Sequence, residues 1–117
     1  MTLTNDALMA ILIGQLDQRE HDDAVAYVAA EHVSAGDVLN APRLELVVPW
    51  DALIGFVDRE PMANWSHSCR YVLVSRETGE LLSVEAELPP FGSRPALGWR
   101  VAYRAPSVPA GVLPDLH

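Results

Sequence analysis

The residues of this chain best suited to chemistry fall in one short stretch, Asn64-Trp65-Ser66-His67-Ser68-Cys69. His67 and Cys69 are two positions apart, so in an extended segment both side chains share one side and a thiolate–imidazolium pair is sterically accessible. Such a nucleophile also needs an oxyanion site and a third group to orient the imidazole, and no other part of the sequence identifies either. A free cysteine otherwise packs as a small hydrophobe, and Cys69 is read that way. No catalytic residue is assigned.

A metal would have to be held by His67, Cys69 and one of His21 or His32, and that spacing matches no established ligand pattern. His32 falls on an apolar stripe, where a satisfied core histidine is the ordinary occupant, so neither a metal nor any other cofactor is expected. The carboxylate pairs Asp22/Asp23, Asp58/Glu60 and Glu85/Glu87 give no acid/base signal, because Glu85 and Glu87 lie on a predicted solvent face without a cause for shifted pKa values. The chain has no glycine-rich phosphate loop, no Gly-x-Ser-x-Gly elbow and no His-Glu-x-x-His helix.

The same stretch does have the composition of a binding surface. Tryptophan and arginine dominate interface hot spots, and Trp65 sits in a polar loop where packing does not obviously require it. Arg59, Pro61, Met62, Asn64, Trp65, His67 and Arg70 are therefore the expected binding residues. Trp65 folding back over the sheet edge is the competing reading.

These residues must be positioned by the elements around them. Thr2 or Thr4 can cap a first helix whose Leu8, Ile11, Leu12 and Leu16 form one buried stripe. The wholly polar run from Asp17 to Asp23 breaks that pattern. A second helix is expected beyond it, capped by Asp22 or Asp23, with Val25, Val28, Ala29, His32 and Val33 inward and Gly36 at its C-terminus. From Leu44 the period becomes two: Leu44, Leu46, Val48 and Trp50 share a face, then Ala52, Ile54 and Phe56 oppose Leu53 and Val57. Arg70 to Ser75 is apolar on both faces, as a central strand would be, and Arg76-Glu-Thr-Gly79 makes a hairpin into Leu81–Leu88. Trp99, Val101 and Tyr103 alternate with Arg100, Ala102 and Arg104 in a last strand. The predicted fold is α+β: an N-terminal helix or helical hairpin on an antiparallel meander of four to five strands, with residues 1–105 as one domain and 106–117 as a proline-rich extended tail.

At 117 residues with half of them hydrophobic, the chain can bury a core without disulfides, and its single cysteine excludes an intramolecular one. No secretory signal is visible, the apolar run Ala7–Gly14 is too short to span a bilayer, and a cytoplasmic location is the expectation. Sixteen acids face eight basic residues, all arginine, for a net charge of −8. That balance argues against nucleic acid and against anionic membranes as partners. It favours either a solvated acidic surface or a face for a basic partner, because residues 1–42 hold seven of the acids and a single arginine.

Tyr71 to Val84, YVLVSRETGELLSV, resembles the terminal hairpin of PepSY-type domains, and the element order resembles cystatin-like folds and small bacterial immunity proteins. The resemblance implies a module that binds or restrains another protein and carries over no catalytic residue. The reading is a non-enzymatic protein-binding module, an inhibitor, immunity or accessory protein, with a partner protein of basic surface. A homodimer through a free edge strand is compatible with it. The alternative is a small-ligand binder or enzyme with a pocket between helices and sheet, lined by Tyr27, Tyr71 and Trp99 with His32 as its ionisable group.

Overall fold

The structure, a computed structural model, describes residues 2–41, 43–63, 66–90 and 97–113. Thr4 caps the first helix, α1 (Asn5–Gly14), by accepting the Ala7 N–H through its hydroxyl. Asp17 caps the short α2 (Gln18–Asp23) in a reciprocal capping box with Glu20. Among the described residues seven strands follow: β1 (Val25–Ala29), β2 (Val38–Ala41), β3 (Leu44–Val47), β4 (Ala52–Asp58), β5 (Cys69–Ser75), β6 (Leu81–Ala86) and β7 (Trp99–Arg104). Five of them form an antiparallel sheet in the order β6-β5-β4-β1-β7, and β2 pairs with β3 in a separate hairpin.

The period-two pattern sorts side chains onto the two faces of the sheet, and each face has its own core. On one face Leu8 and Leu12 of α1, with Leu16 just beyond its end, pack against Ala26, Val28, Leu53, Val57, Val72 and Val74. On the other, Tyr27, Ile54, Phe56, Tyr71, Leu73 and Trp99 are covered by Leu39, Leu46 and Val48 of the hairpin, with Ala105 and Val108 beyond β7. The molecule is thus an α+β layering of helix, sheet and hairpin, consistent with the class read from the sequence. Strands β1, β4 and β5 are buried along their whole length because both faces are covered.

Residues 24–33 depart from the expected second helix. They supply β1, the strand between β4 and β7, so Val25, Tyr27 and Ala29 face one core while Ala26 and Val28 face the other. A short run apolar on both sides carries neither helical nor alternating period, which is why this segment misleads. Asp22 and Asp23 cap nothing; they end α2, where the helix dipole disfavours acids, and Ala24 is already extended (φ −96°, ψ 166°). Gly36 needs its positive φ of 88° for a turn in which its N–H bonds the Val48 carbonyl, not for a helix terminus.

Gly55, in the middle of β4, sits directly under a Leu12 side chain of α1: a Cβ there would lie 2.7 Å from a Leu12 methyl and 3.2 Å from the Tyr27 carbonyl oxygen. Gly55→Ala is therefore expected to cost about 1–3 kcal/mol in denaturant unfolding. Combined with Leu12→Ala, the loss should be smaller than the sum of the two, because the truncated side chain makes the room the methyl needs. Strict additivity would show that α1 does not constrain this position.

Candidate functional site

The segment between β4 and β5 is folded back on itself by its own polar groups. Glu60 N–H donates to Asp58 Oδ1 (3.0 Å), Ala63 N–H to the Glu60 carbonyl (2.9 Å) and Ser68 N–H to Glu60 Oε2 (2.9 Å). His67 N–H reaches the Glu87 carbonyl (2.9 Å), which ties the loop to the end of β6. The His67 ring is 2.7 Å from Asp58 through Nε2, and both side chains are largely buried. Burial pushes the Asp58 carboxyl above the usual range, with the nearby His67 opposing that shift.

On the α1 side of the sheet, the loop is anchored by a network centred on Glu20, whose side chain is 0% exposed. Glu20 Oε1 accepts from the Asp17 N–H (3.0 Å) and Arg70 Nη2 (2.7 Å), and Oε2 accepts from Arg70 Nε (2.8 Å) and Arg59 Nε (3.0 Å). Those four bonds fill the acceptor capacity of a carboxylate. Arg59 continues to both oxygens of Glu85 (2.6 and 3.1 Å) and to Ser68 Oγ (2.9 Å), and Arg70 to Ser83 Oγ (3.1 Å). Burial alone would raise the Glu20 pKa, but the hydrogen bonds from Arg70, the Asp17 backbone and Arg59 outweigh it and hold it at about 2. The Arg59 bond likewise lowers Glu85, a carboxylate the sequence places on an unperturbed solvent face.

Beside this anchor lies a cleft of about 600 Å3, bordered by Arg43 and Leu44 at the turn of the β2–β3 hairpin, Ser66 to Ser68 of the loop, and Glu85 to Glu87 at the end of β6. The expected binding residues divide accordingly. His67 borders the cleft, Pro61 is half-buried and Met62 is exposed on the loop, and Arg59 and Arg70 are engaged in the Glu20 network. Asn64 and Trp65 lie outside the described residues. Sequence reasoning passed over Glu20, although Asp17-x-x-Glu20 is a legible capping-box signature.

Cys69 is fully buried on the face opposite the network, and its cross-strand partner is Asp58. Burial, with the Asp58 charge, pushes its thiol up to about 12, so no thiolate forms near neutral pH. The other histidines lie elsewhere: His21 meets the Tyr103 ring edge-on, and His32 borders a second concavity of about 360 Å3 over Val33, Leu39, Val48 and Leu97. Among the described residues no group of three His, Cys, Asp or Glu side chains is arranged to hold a metal ion. Tyr27 and Tyr71, named for a pocket between helices and sheet, flank Phe56 in the core under the hairpin.

Because the folded-state pKa of Glu20 lies below its ordinary 4.5, its stabilisation is fully present above about pH 4.5 and is lost as pH falls toward about 2. Glu20→Gln should lower stability by about 3–5 kcal/mol at neutral pH and flatten the acid limb of unfolding free energy against pH in that window. An unchanged acid limb would remove Glu20 from the role. Cys69 in the native protein should resist iodoacetamide at pH values where a free thiol reacts, and label fully in denaturant; mass spectrometry reads both. No protein-family model, no curated protein and no solved structure matches this chain.

Proposed function

We propose that this chain is a non-enzymatic protein-binding module that acts on a partner protein, as an inhibitor, immunity or accessory protein does. The observation that carries the reading is the open cleft beside β6, whose border is held by the Glu20–Arg59–Glu85 network and does not include the Cys69 thiol. A recognition surface gains affinity from such preorganisation, because little side-chain freedom is left to lose on binding. Catalysis would ask for a group poised near neutral pH with a reacting atom before it. The thiol in this region is buried and pushed up, and the guanidinium groups of Arg59 and Arg70 are committed to carboxylates.

The loop offers the half-buried Pro61 and the exposed Met62, and Trp65 is assigned as the hot-spot residue by its type and its place in the sequence. The resemblance of Tyr71–Val84 to a PepSY-type hairpin points to the same class of activity by analogy. The surplus of acids makes a basic partner surface the complementary one, and the same surplus raises the rate at which such a partner is met.

The test is capture of a partner from the source cells on the immobilised chain, with Met62→Ala and Trp65→Ala in parallel. A single protein retained in stoichiometric amount should be lost with Trp65→Ala, at a cost of about 2 kcal/mol or more in binding while the melting temperature stays within a few degrees. Retention unchanged in both variants, or unfolding of Trp65→Ala, would sink this assignment of the binding loop.

A further inference from the structure

We propose that the outer edge of β6 receives an extended, arginine- or lysine-bearing segment of the partner protein as an added strand, with one of its cations seated on Glu87 in the cleft. The proposal rests on the protein-binding reading above and gives its partner a chemistry.

The register identifies which backbone groups are available. Ser75 N–H donates to the Glu80 carbonyl (2.8 Å), so those two residues form a hydrogen-bonded pair at the turn end of the β5–β6 ladder. Pairing continues antiparallel from Val74 and Leu81 to Cys69 and Ala86. Hydrogen-bonded pairs alternate along an antiparallel ladder, so Leu82, Val84 and Ala86 bond to β5, and the N–H and C=O groups of Leu81, Ser83 and Glu85 point away from it. Among the described residues no strand takes up that edge. It contains no proline and no lysine, two of the devices that usually block strand addition.

The charges along the edge select the occupant. Glu80, Glu85 and Glu87 follow one another along β6 and its ends, and opposite charges in facing cross-strand positions stabilise while like charges destabilise. Glu85 is already held at both oxygens by Arg59. Glu87 is not: its only described ion-pair partner is Arg43, at 3.6 Å, with the two side chains 69% and 71% exposed. An exposed pair at that distance contributes little, so an incoming guanidinium or ammonium can replace it at small cost. Arg43 thus occupies the position that the partner's cation takes on binding. A second copy of this chain is the wrong occupant, because each copy has a net charge of −8 and would set its acids against its neighbour's.

Two fluorescein-labelled hexapeptides of equal charge, one alternating arginine with threonine and one alternating arginine with proline, test the proposal by anisotropy at physiological ionic strength. Only the threonine peptide can form the ladder, and it should bind the tighter, with amide hydrogen exchange slowed at Leu81, Ser83 and Glu85. Leu81→Pro removes one outward N–H without touching a bond to β5 and should weaken binding about fivefold, as one lost backbone hydrogen bond predicts. Glu87→Gln should weaken it too. Arg43→Gly, at a residue whose φ is 60°, keeps the turn and should tighten binding.

Equal binding of the two peptides, no effect of either Leu81→Pro or Glu87→Gln, or concentration-dependent self-association abolished by Leu81→Pro would each overturn the proposal. Applied to the partner captured by the immobilised chain, the same variants separate the two readings. Capture that needs Trp65 but not Leu81 or Glu87 leaves the binding module standing and removes the edge. Failure of all the variants removes both.

Discussion

One buried carboxylate sets the shape of the end of the molecule where the candidate site lies. Glu20 lies on a six-residue helix too short to hold itself together, and it is shielded completely from water. A charge in that position is tolerable only if its hydrogen-bonding capacity is filled by cations or backbone donors. The Asp17 backbone and two arginines from separate parts of the chain fill it. Arg59 and Arg70 bracket the loop that faces the cleft, so one desolvated group determines where the loop begins, where it ends and how far it stands from β6.

From that constraint the other polar contacts follow in order. Once Arg59 is turned toward Glu20, its remaining N–H groups meet Glu85 and Ser68, which joins the loop to the edge strand on the α1 side. The His67 backbone and ring close the other side, on the Glu87 carbonyl and on Asp58. Cys69 and Asp58 sit opposite each other at the ends of β5 and β4, and the low polarity that suits the thiol is the same condition that raises the Asp58 carboxyl. The loop is long in sequence, yet both of its ends are held.

The legible parts of the sequence were those in which the residue types kept a helical or alternating period or a turn residue. Leu8 and Leu12 on α1 with Leu16 just past it, the alternation through β3 and β4, and the Gly79 turn all carried their signals openly. The interior strand β1 did not, because its five residues are apolar throughout and too few to show a period, and the acids before it imitated a helix cap. The site was legible in its loop and not in its anchor. Arg59 and Arg70 were singled out as interface residues by type, but residue type cannot show that a guanidinium is already satisfied from within. Glu85 was taken for a solvent carboxylate for the same reason: its partner lies twenty-six positions away.

The order of the strands also changes the meaning of the charge asymmetry. Read along the chain, an acidic N-terminal third and a basic final strand look like two separate surfaces. In the sheet, β7 runs beside β1, so Arg104 is the cross-strand partner of Val25, directly after the acids that end α2. Ser107 beyond β7 donates to the Asp22 carbonyl (2.6 Å), and Tyr103 to that of His21. At the β7 end the chain thus ties the α2 segment down through backbone carbonyls, with Arg100 and Arg104 on the edge strand itself. At the β6 end it answers Glu85 with Arg59 and leaves Glu87 with a distant, exposed arginine. The β7 edge strand carries two arginines where the β6 end carries glutamates, and that difference is the physical ground on which a basic partner is proposed at β6.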